Sequence, residues 1–202
     1  MITRTLTLTF LALSLAGCAT FTASKHASKW TIELASSAAS PDGACRIYDE
    51  ENRLMLEGAF ASGKMDGTWT HWGSQGGRYA EWSYRQGARS GPVLMWFTPF
   101  AHPTARGFLK LEGAFLDGHY EGTVTRYYPS QALQSVRVYE RGLLQSSRYW
   151  SPAGAEQPAA AASKEAAVEL KVELTYLATL EDMVAQSLAQ AHRKTKEQPQ
   201  PN

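Results

Sequence analysis

This sequence of 202 residues has few cysteines, no excess of charge of one sign, and few residues of catalytic type in recognisable patterns. Its 20 Lys and Arg are matched by 19 Asp and Glu, which leaves a formal net charge of +1. Because the basic residues are also scattered, the broad positive field typical of nucleic-acid-binding proteins is excluded, and we expect no nucleic-acid partner. The two cysteines, Cys18 and Cys45, exclude a secreted scaffold held together by several disulfides.

No long apolar run is present at the N-terminus either, although a short one is. The run from Leu6 to Leu15 is too short to span a bilayer as a stable helix, and it ends in Leu-Ala-Gly-Cys at 15–18. That tetrapeptide resembles the lipobox of bacterial lipoproteins, in which the chain is cut before the cysteine and the thiol is diacylated. The resemblance implies a signal peptide at 1–17 and a lipid on Cys18 that anchors the chain in a membrane. A plain secretory signal is the alternative.

The residues after Cys18 suggest where and how the chain is held. In Gram-negative lipoproteins a residue other than Asp at the next position, here Ala19, implies export to the outer membrane, within the cell envelope and facing the periplasm. Residues 18–41 are dominated by Ala, Ser, Thr and Lys, which predicts a flexible tether, with Trp30 and Ile32 docking locally at most. With Cys18 lipidated, Cys45 has no disulfide partner.

Residues 42–151 repeat one phrase. Positions 56–72 read LEGAFASGKMDGTWTHW and positions 111–128 read LEGAFLDGHYEGTVTRYY. A weaker copy lies between them, another follows, and a half copy at 42–50 precedes them and places Cys45 at a small core position. The copies are 24, 31 and 24 residues apart, and the seven extra residues belong to a loop at 98–107. The turn glycines of the four copies are Gly63 and Gly67, Gly87 and Gly91, Gly118 and Gly122, and Gly142, which is followed by Ser146.

Each copy has the pattern of a β-hairpin. Apolar side chains alternate along residues 54–60 and 78–84, and the glycines supply the positive φ angles of a chain reversal. Asp66 and Glu121 precede turn glycines, so we expect them to form hydrogen bonds within their own turns. A single hairpin is unstable in water, so the copies must stack and share a core. The sequence therefore predicts a mainly β fold, an antiparallel meander of stacked hairpins with a C-terminal α-helix.

The phrase at 56–72 is similar to the MORN repeat, in which an aromatic-Glu-Gly-x-aromatic segment is followed by spaced glycines and a further aromatic. Leu56 replaces the leading aromatic, and Trp69 and Val124 replace a second glycine. That variant resembles the bacterial MORN-like repeats of YwqK-type antitoxin-like proteins. The resemblance covers 42–150 and implies an interaction or structural module.

Two columns of aromatic and apolar residues follow the turns. Trp69 and Trp72 are three residues apart, which places them on opposite faces of a regular strand. We favour the interpretation that both columns are core, and the alternative is that one column is exposed to a partner. The candidate partner-binding residues are Trp72, Trp96 and Tyr127 of the second column, with Phe100 and His102 of the inserted loop.

The C-terminal quarter predicts a helix. An Ala/Pro linker at 152–162 precedes the stretch 163–194, which lacks Gly and Pro and begins with Ser163 as a potential cap. Strict alternation at 168–176 leaves a last strand as the alternative, and 195–202 is expected to be a disordered tail. One apolar stripe of the helix, expected to pack on the sheet or on a second copy of itself, contains Leu170, Leu174, Leu177, Leu180, Val184 and Leu188.

The sequence contains no recognisable catalytic or metal-binding motif. No Cys/His set has metal-ligand spacing, and His71 and His119 fall at positions occupied by Arg126 and Lys64 in other copies, which predicts variable exposed sites. We therefore expect no catalytic residue, no metal and no cofactor. The leading hypothesis is a membrane-anchored, non-enzymatic module of the bacterial cell envelope that binds a protein partner, with an immunity or antitoxin-like role as its narrower form. The alternative is a lipoprotein that binds peptidoglycan or another glycan through exposed Trp and Tyr.

Overall fold

The computed structural model describes residues 30–98 and 101–197 of the chain. This part is mainly β, an 11-stranded antiparallel sheet followed by one C-terminal helix, as the sequence predicted. The strands are β1 (Thr31–Leu34), β2 (Gly43–Tyr48), β3 (Leu54–Ala61), β4 (Lys64–Trp72), β5 (Arg78–Arg85), β6 (Ala88–Trp96), β7 (Leu109–Leu116), β8 (His119–Tyr120), β9 (Gly122–Tyr127), β10 (Leu133–Glu140) and β11 (Leu143–Tyr149); a 3-10 turn covers Pro103–Ala105, and helix α1 covers Ala159–Glu197.

The sheet is a meander in which strands follow one another in chain order. Its path runs from β1 to β11, with the short strand β8 pairing only with β7. Since every neighbouring pair is antiparallel, each copy of the repeat contributes a hairpin and shares a ladder with the next. The repeat in the sequence is therefore a repeat of strands, which confirms the predicted stacking of hairpins.

The hairpin turns explain the turn glycines. All seven predicted turn glycines have positive φ. The first glycine of each copy follows another residue of positive φ, between 48° and 51°, and two such central residues define a type I′ turn. The four pairs are Ser62–Gly63, Gln86–Gly87, Asp117–Gly118 and Arg141–Gly142.

The second glycine of each copy lies where the returning strand carries extra residues. Gly58 of β3 faces three residues of β4, including Gly67, between the pairs Glu57↔Thr70 and Ala59↔Asp66. In the last copy Ser146 replaces this glycine, and the ladder there has only one unpaired residue, at 145. The glycine is therefore present where three residues of the returning strand are unpaired, and Ser146 replaces it where only one is.

Acidic residues before these glycines connect successive turns. The Asp66 Oδ1 atom accepts a hydrogen bond from the backbone N–H of Gln86 at 3.1 Å, and the Glu121 Oε2 atom accepts one from Arg141 at 2.7 Å. Both bonds reach 20 residues along the chain, so the expectation of bonds within the same turn is corrected. These carboxylates join neighbouring hairpins at the turn edge.

Helix α1 is longer than the sequence predicted. It begins at Ala159, inside the expected linker, and ends at Glu197, inside the expected tail. Residues 168–176 are therefore helical, and Ser163 is an exposed residue within the helix, not its cap. The predicted apolar stripe is confirmed, because its six residues belong to or pack on the core that α1 forms with the sheet.

The domain also begins earlier than predicted. Thr31–Leu34 pairs with β2 as an edge strand, although these residues were expected to belong to the tether. The alternating Ile32 and Leu34 pack against the core, which explains why this short segment is ordered. The signal peptide, Cys18, Phe100 and residues 198–202 lie outside the described residues.

Candidate functional site

The two columns of the repeat lie on different faces of the sheet. Trp69, Val93 and Val124 have no exposed surface and face α1. Trp72, Trp96 and Tyr127 are half-buried, and their contacts with Glu57, Arg78 and Glu112 lie on the opposite face. Trp96, at the end of β6, also lines a cavity beside α1. We call the first the helix-covered face and the second the open face. The favoured interpretation, that both columns are core, holds for the first column alone.

Aromatic residues of the open face are held by carboxylates that stand 15 residues before them. The Trp72 Nε1–H group donates to Glu57 Oε1 at 3.1 Å, and the Tyr127 hydroxyl donates to Glu112 Oε1 at 2.6 Å. At the start of the array the Tyr48 hydroxyl donates to Glu33 Oε2 at 3.0 Å. The spacing places each pair on one face because the two residues lie on adjacent antiparallel strands. These contacts orient the ring edges and leave a repeated aromatic–carboxylate row.

Trp96 is held by a different contact. The guanidinium of Arg78 lies 4.8 Å from the centre of the Trp96 ring and binds the Glu81 carboxylate at 2.8 Å. A cation over an indole face is electrostatically attractive, so Arg78 covers part of the ring. The row is therefore chemically varied, with hydrogen-bonded rings on either side of a cation-covered one.

Residues beside Trp72 form a depression on the surface. A shallow cavity of about 390 Å³ is lined by Trp72, Arg53 and Leu54 together with the loop that follows β4.

The hydrogen bond from Tyr127 to Glu112, with burial, raises the pKa of the Tyr127 hydroxyl to about 12, so the hydroxyl remains a donor at neutral pH. The open face therefore offers apolar rings, carboxylates and a concave rim.

The inserted loop contributes less than predicted from the described residues. His102 is exposed, and its ring packs edge-on against Phe97 with 5.0 Å between ring centres. The backbone N–H group of His102 also donates to the backbone carbonyl of Thr98 at 2.9 Å. Within the described residues, the contacts of His102 are with its own loop and Phe97, whereas Trp72 and Tyr127 are bound by Glu57 and Glu112.

A cluster of charges lies between the sheet and α1. Arg137 of β10 has no exposed side-chain surface, and its Nη2 atom lies 2.8 Å from Glu173 Oε1 of the helix. Arg126 of β9 reaches the same carboxylate at 2.8 Å and Glu169 at 3.1 Å. The hydroxyl of Tyr120 also donates to Glu173. Because two arginines meet two carboxylates, the four groups are balanced in charge, as buried ion clusters must be.

His71 is a buried contact between the sheet and the helix. Its Nδ1 atom lies 2.6 Å from the hydroxyl of Tyr176, and its side chain is nine-tenths buried. Burial lowers the pKa of His71 to about 4, so the imidazole is neutral at neutral pH. The expectation that His71 occupies an exposed position is therefore wrong, whereas His119 is exposed as predicted.

Cys45 fills the slot that the overlay of the half copy predicted. Its thiol has no exposed surface, and burial raises its pKa to about 12. A thiol with such a pKa is protonated and unreactive at neutral pH. Cys45 is therefore part of the core.

Sequence reasoning missed the partners of the aromatic and basic residues. The recurring pair of a glutamate and an aromatic 15 residues later could have shown the aromatic–carboxylate row. The charge cluster had a weaker signal, which was the presence of Glu169 and Glu173 four residues apart beside the leucines of α1. Arg126 and Arg137 gave no local sign of burial, because their partners lie on a distant element.

No family model matches this chain, and no curated protein resembles it at a significant level. Among residues 30–98 and 101–197, no group of three or more His, Cys, Asp or Glu is placed to hold a metal ion. No helix in this part of the chain has the length and apolar character needed to cross a membrane.

Proposed function

We propose that this chain is a membrane-anchored, non-enzymatic repeat lipoprotein of the bacterial cell envelope that binds a protein partner through the open face of its sheet. The observation that supports it is the row of half-buried aromatics, Trp72, Trp96 and Tyr127, on the face away from α1. The lipobox-like segment at 15–18 supports the lipid anchor, and the resemblance to MORN-like repeats supports an interaction module.

The chemistry of the open face favours a protein partner with basic groups. Aromatic side chains surrounded by polar groups are the residues that most often dominate binding energy in protein interfaces. The Glu33 and Glu112 carboxylates bind only tyrosine hydroxyls among the described residues, so they retain acceptor capacity for a partner's Lys or Arg. A basic, apolar patch on the partner would complement this face.

The test compares partner capture by the wild-type chain with capture by the double variant Trp72→Ala with Trp96→Ala. Because both rings lie on the open face, we expect the double variant to fold, with circular dichroism close to wild type. A specific envelope protein recovered with the wild-type chain should be lost with the double variant. Leu143→Ala is the matched control, since Leu143 is 69% exposed at a hairpin end.

Two outcomes count against this proposal. Repeated failure to recover any specific protein from solubilised envelope contradicts protein binding. Turnover of any cell-wall substrate by the purified chain contradicts a non-enzymatic role. A toxic effect of deleting the gene that a neighbouring gene product explains would support the narrower immunity or antitoxin-like role.

Glycan binding is the second candidate, and the spacing of the rings favours it. Trp72 and Trp96 lie two strands apart, which corresponds to about 9.6 Å, and flat rings beside carboxylates suit sugar stacking and hydroxyl recognition. Sedimentation with purified peptidoglycan separates the two candidates. Loss of sedimentation in the double variant, with no protein partner recovered, would favour the glycan.

The membrane anchor is tested separately with Cys18→Ala. Lipidation requires the thiol, so this variant should leave the membrane fraction and become soluble, whereas Cys45→Ala should remain with the membrane. In a Gram-negative host the wild-type chain should fractionate with the outer membrane, as Ala19 implies. Membrane retention of Cys18→Ala would contradict the lipid anchor.

A further inference from the structure

A cavity of about 170 Å³ lies between α1 and the sheet, at the strand ends from which the inserted loop departs. Tyr79 of β5, Tyr176 of α1 and Trp96 at the end of β6 contribute aromatic walls. Lys110 of β7 and Arg126 contribute cations, and the lining also contains the Glu173 carboxylate, which is already bound to Arg126 and Arg137. Val172 of α1, whose side chain is 59% exposed, completes the lining on the solvent side. The cavity is thus mostly apolar with basic groups at one part of its wall, as small-molecule sites generally are.

Strand irregularities place two of these side chains. Tyr79 is the extra residue between the pairs His71↔Ala80 and Trp72↔Arg78, and Lys110 is the extra residue between Met95↔Leu111 and Trp96↔Leu109. An extra residue breaks the alternation of faces, so both side chains reach the helix side of the strand ends. The equivalent residues of the other copies, Met55 and Gln134, are uncharged. Lys110 is therefore a charge added to a position that the repeat does not require to be basic.

The charges around the cavity do not balance once Lys110 is counted. Glu169 and Glu173 are already bound by Arg126 and Arg137. Among the described residues, no carboxylate lies within ion-pair distance of the Lys110 ammonium group. Burial and the nearby Arg126 charge lower the pKa of Lys110, and the Glu173 and Glu169 carboxylates oppose this shift only in part. Three cations facing two carboxylates leave one positive charge in a partly buried place, where a bound anion would be stabilised.

We propose that this cavity binds a small organic carboxylate, with its carboxylate paired to Lys110 and its apolar part between Tyr79 and Tyr176. A protein cavity of about 150 Å³ can hold benzene, so a volume of about 170 Å³ suits one ring or a short chain. An ammonium–carboxylate hydrogen bond in a partly dry site is among the stronger polar contacts in proteins. Trp96 belongs both to the open face and to the lining of this cavity, whereas Trp72 and Tyr127 belong to the open face alone.

The experiment titrates the purified full chain with benzoate by isothermal calorimetry, and with benzamide as a neutral probe of the same shape. Benzoate should bind saturably and about tenfold more tightly than benzamide, since only benzoate can pair with the ammonium group. Lys110→Met should reduce benzoate affinity about tenfold, and Lys110→Arg should retain most of it. Lys171→Met, which removes an exposed lysine of α1, should bind benzoate like wild type.

Three results would overturn the proposal. They are the absence of saturable binding of benzoate, equal affinity for benzoate and benzamide, and unchanged benzoate affinity in Lys110→Met. A fold defect cannot be mistaken for these results, because Lys110→Arg keeps the charge and circular dichroism monitors each variant. Loss of partner binding in the single variant Trp72→Ala bears on the proposed function alone, because Trp72 does not line this cavity, whereas Trp96→Ala alters both sites.

Discussion

Gly58 lies directly beneath the indole of Trp69, which gives the Glu-Gly pair of the repeat a packing reason. A Cβ atom on Gly58 would stand 2.2 Å from the Trp69 Cδ2 atom, and the Trp69 side chain has no exposed surface into which to move. We expect Gly58→Ala to lower the free energy of unfolding by about 3 kcal/mol, because overpacking a full core forces the ring off its position. Urea denaturation measures this change.

Gly77→Ala is the matched control for that substitution. A Cβ atom on Gly77 would meet nothing within 4 Å, and its φ is not in the left-handed region, so we expect a change within about 0.5 kcal/mol. Gly113, whose added Cβ would lie 3.0 Å from Val124, should give an intermediate loss when changed to Ala. Equal stabilities for Gly58→Ala and Gly77→Ala would contradict the packing argument.

His71 makes the stability of the fold depend on pH. Its pKa falls from 6.5 to about 4 on burial, so the unfolded chain binds the proton more tightly than the folded chain. Stability from this group is complete above the unfolded pKa and is lost as the pH falls from about 6.5 to about 4. The shift corresponds to about 3 kcal/mol. Urea denaturation at pH 7 and at pH 4.5 should show a large part of this loss.

The contribution of His71 is isolated by substitution. His71→Gln keeps a group able to bond with the Tyr176 hydroxyl and cannot titrate, so its stability should fall less between pH 7 and pH 4.5 than that of wild type. His119→Gln, at an exposed position, should keep the wild-type dependence. The same pH dependence in wild type and His71→Gln would show that other groups cause it.

At the scale of elements, α1 binds the sheet through apolar residues and through carboxylates. Glu173 retains 2% of its side-chain exposure and lies against Arg126 and Arg137. We expect Glu173→Ala to lower the free energy of unfolding by about 3–5 kcal/mol, because it leaves buried guanidinium charge without its partner. Chemical denaturation followed by helix ellipticity measures the loss.

A double variant separates the ion pair from the burial of an unpaired charge. Arg137→Met with Glu173→Leu removes both members and fills their space, so it should be more stable than Glu173→Ala. Glu165→Ala, an exposed carboxylate of the same helix, should change stability by less than about 0.5 kcal/mol. If the double variant is less stable than Glu173→Ala, the ion pair itself stabilises the fold, and the loss in Glu173→Ala is not due only to a buried charge left without a partner.

Elements set by local chemistry were predictable from the sequence, and those set by distant contacts were not. The hairpins followed from period-two alternation and from glycines such as Gly63, whose positive φ is a local requirement. The strand Thr31–Leu34 was missed because its order depends on β2 and α1, and a sequence rich in Ala and Ser shows no such partner. The side of the sheet on which Trp72 lies relative to α1 depended on helix packing in the same way.

At the scale of the whole molecule, α1 crosses the sheet from its last strand to its first. A helix of 39 residues is about 58 Å long, whereas ten strands side by side cover about 43 Å. Along that path Glu169 binds Tyr149 of β11, Glu181 binds Tyr84 of β5, and the C-terminal part of the helix approaches Ile32 of β1. The helix therefore contacts both ends of an array whose hairpins otherwise contact only their neighbours.

This arrangement predicts that the sheet and the helix unfold together. In a stack of hairpins alone, the end copies would unfold first. Because α1 packs on every copy, the unfolding of one copy removes helix contacts that also stabilise the others. Tryptophan fluorescence, which reports on the sheet, and ellipticity at 222 nm, which reports on α1, should therefore change at the same urea concentration. Leu180→Asp, in the middle of the helix–sheet core, should raise amide hydrogen exchange in both β1 and β11, whereas the exposed Thr179→Asp should not. Separate fluorescence and ellipticity transitions would show instead that the hairpins are stable without the helix.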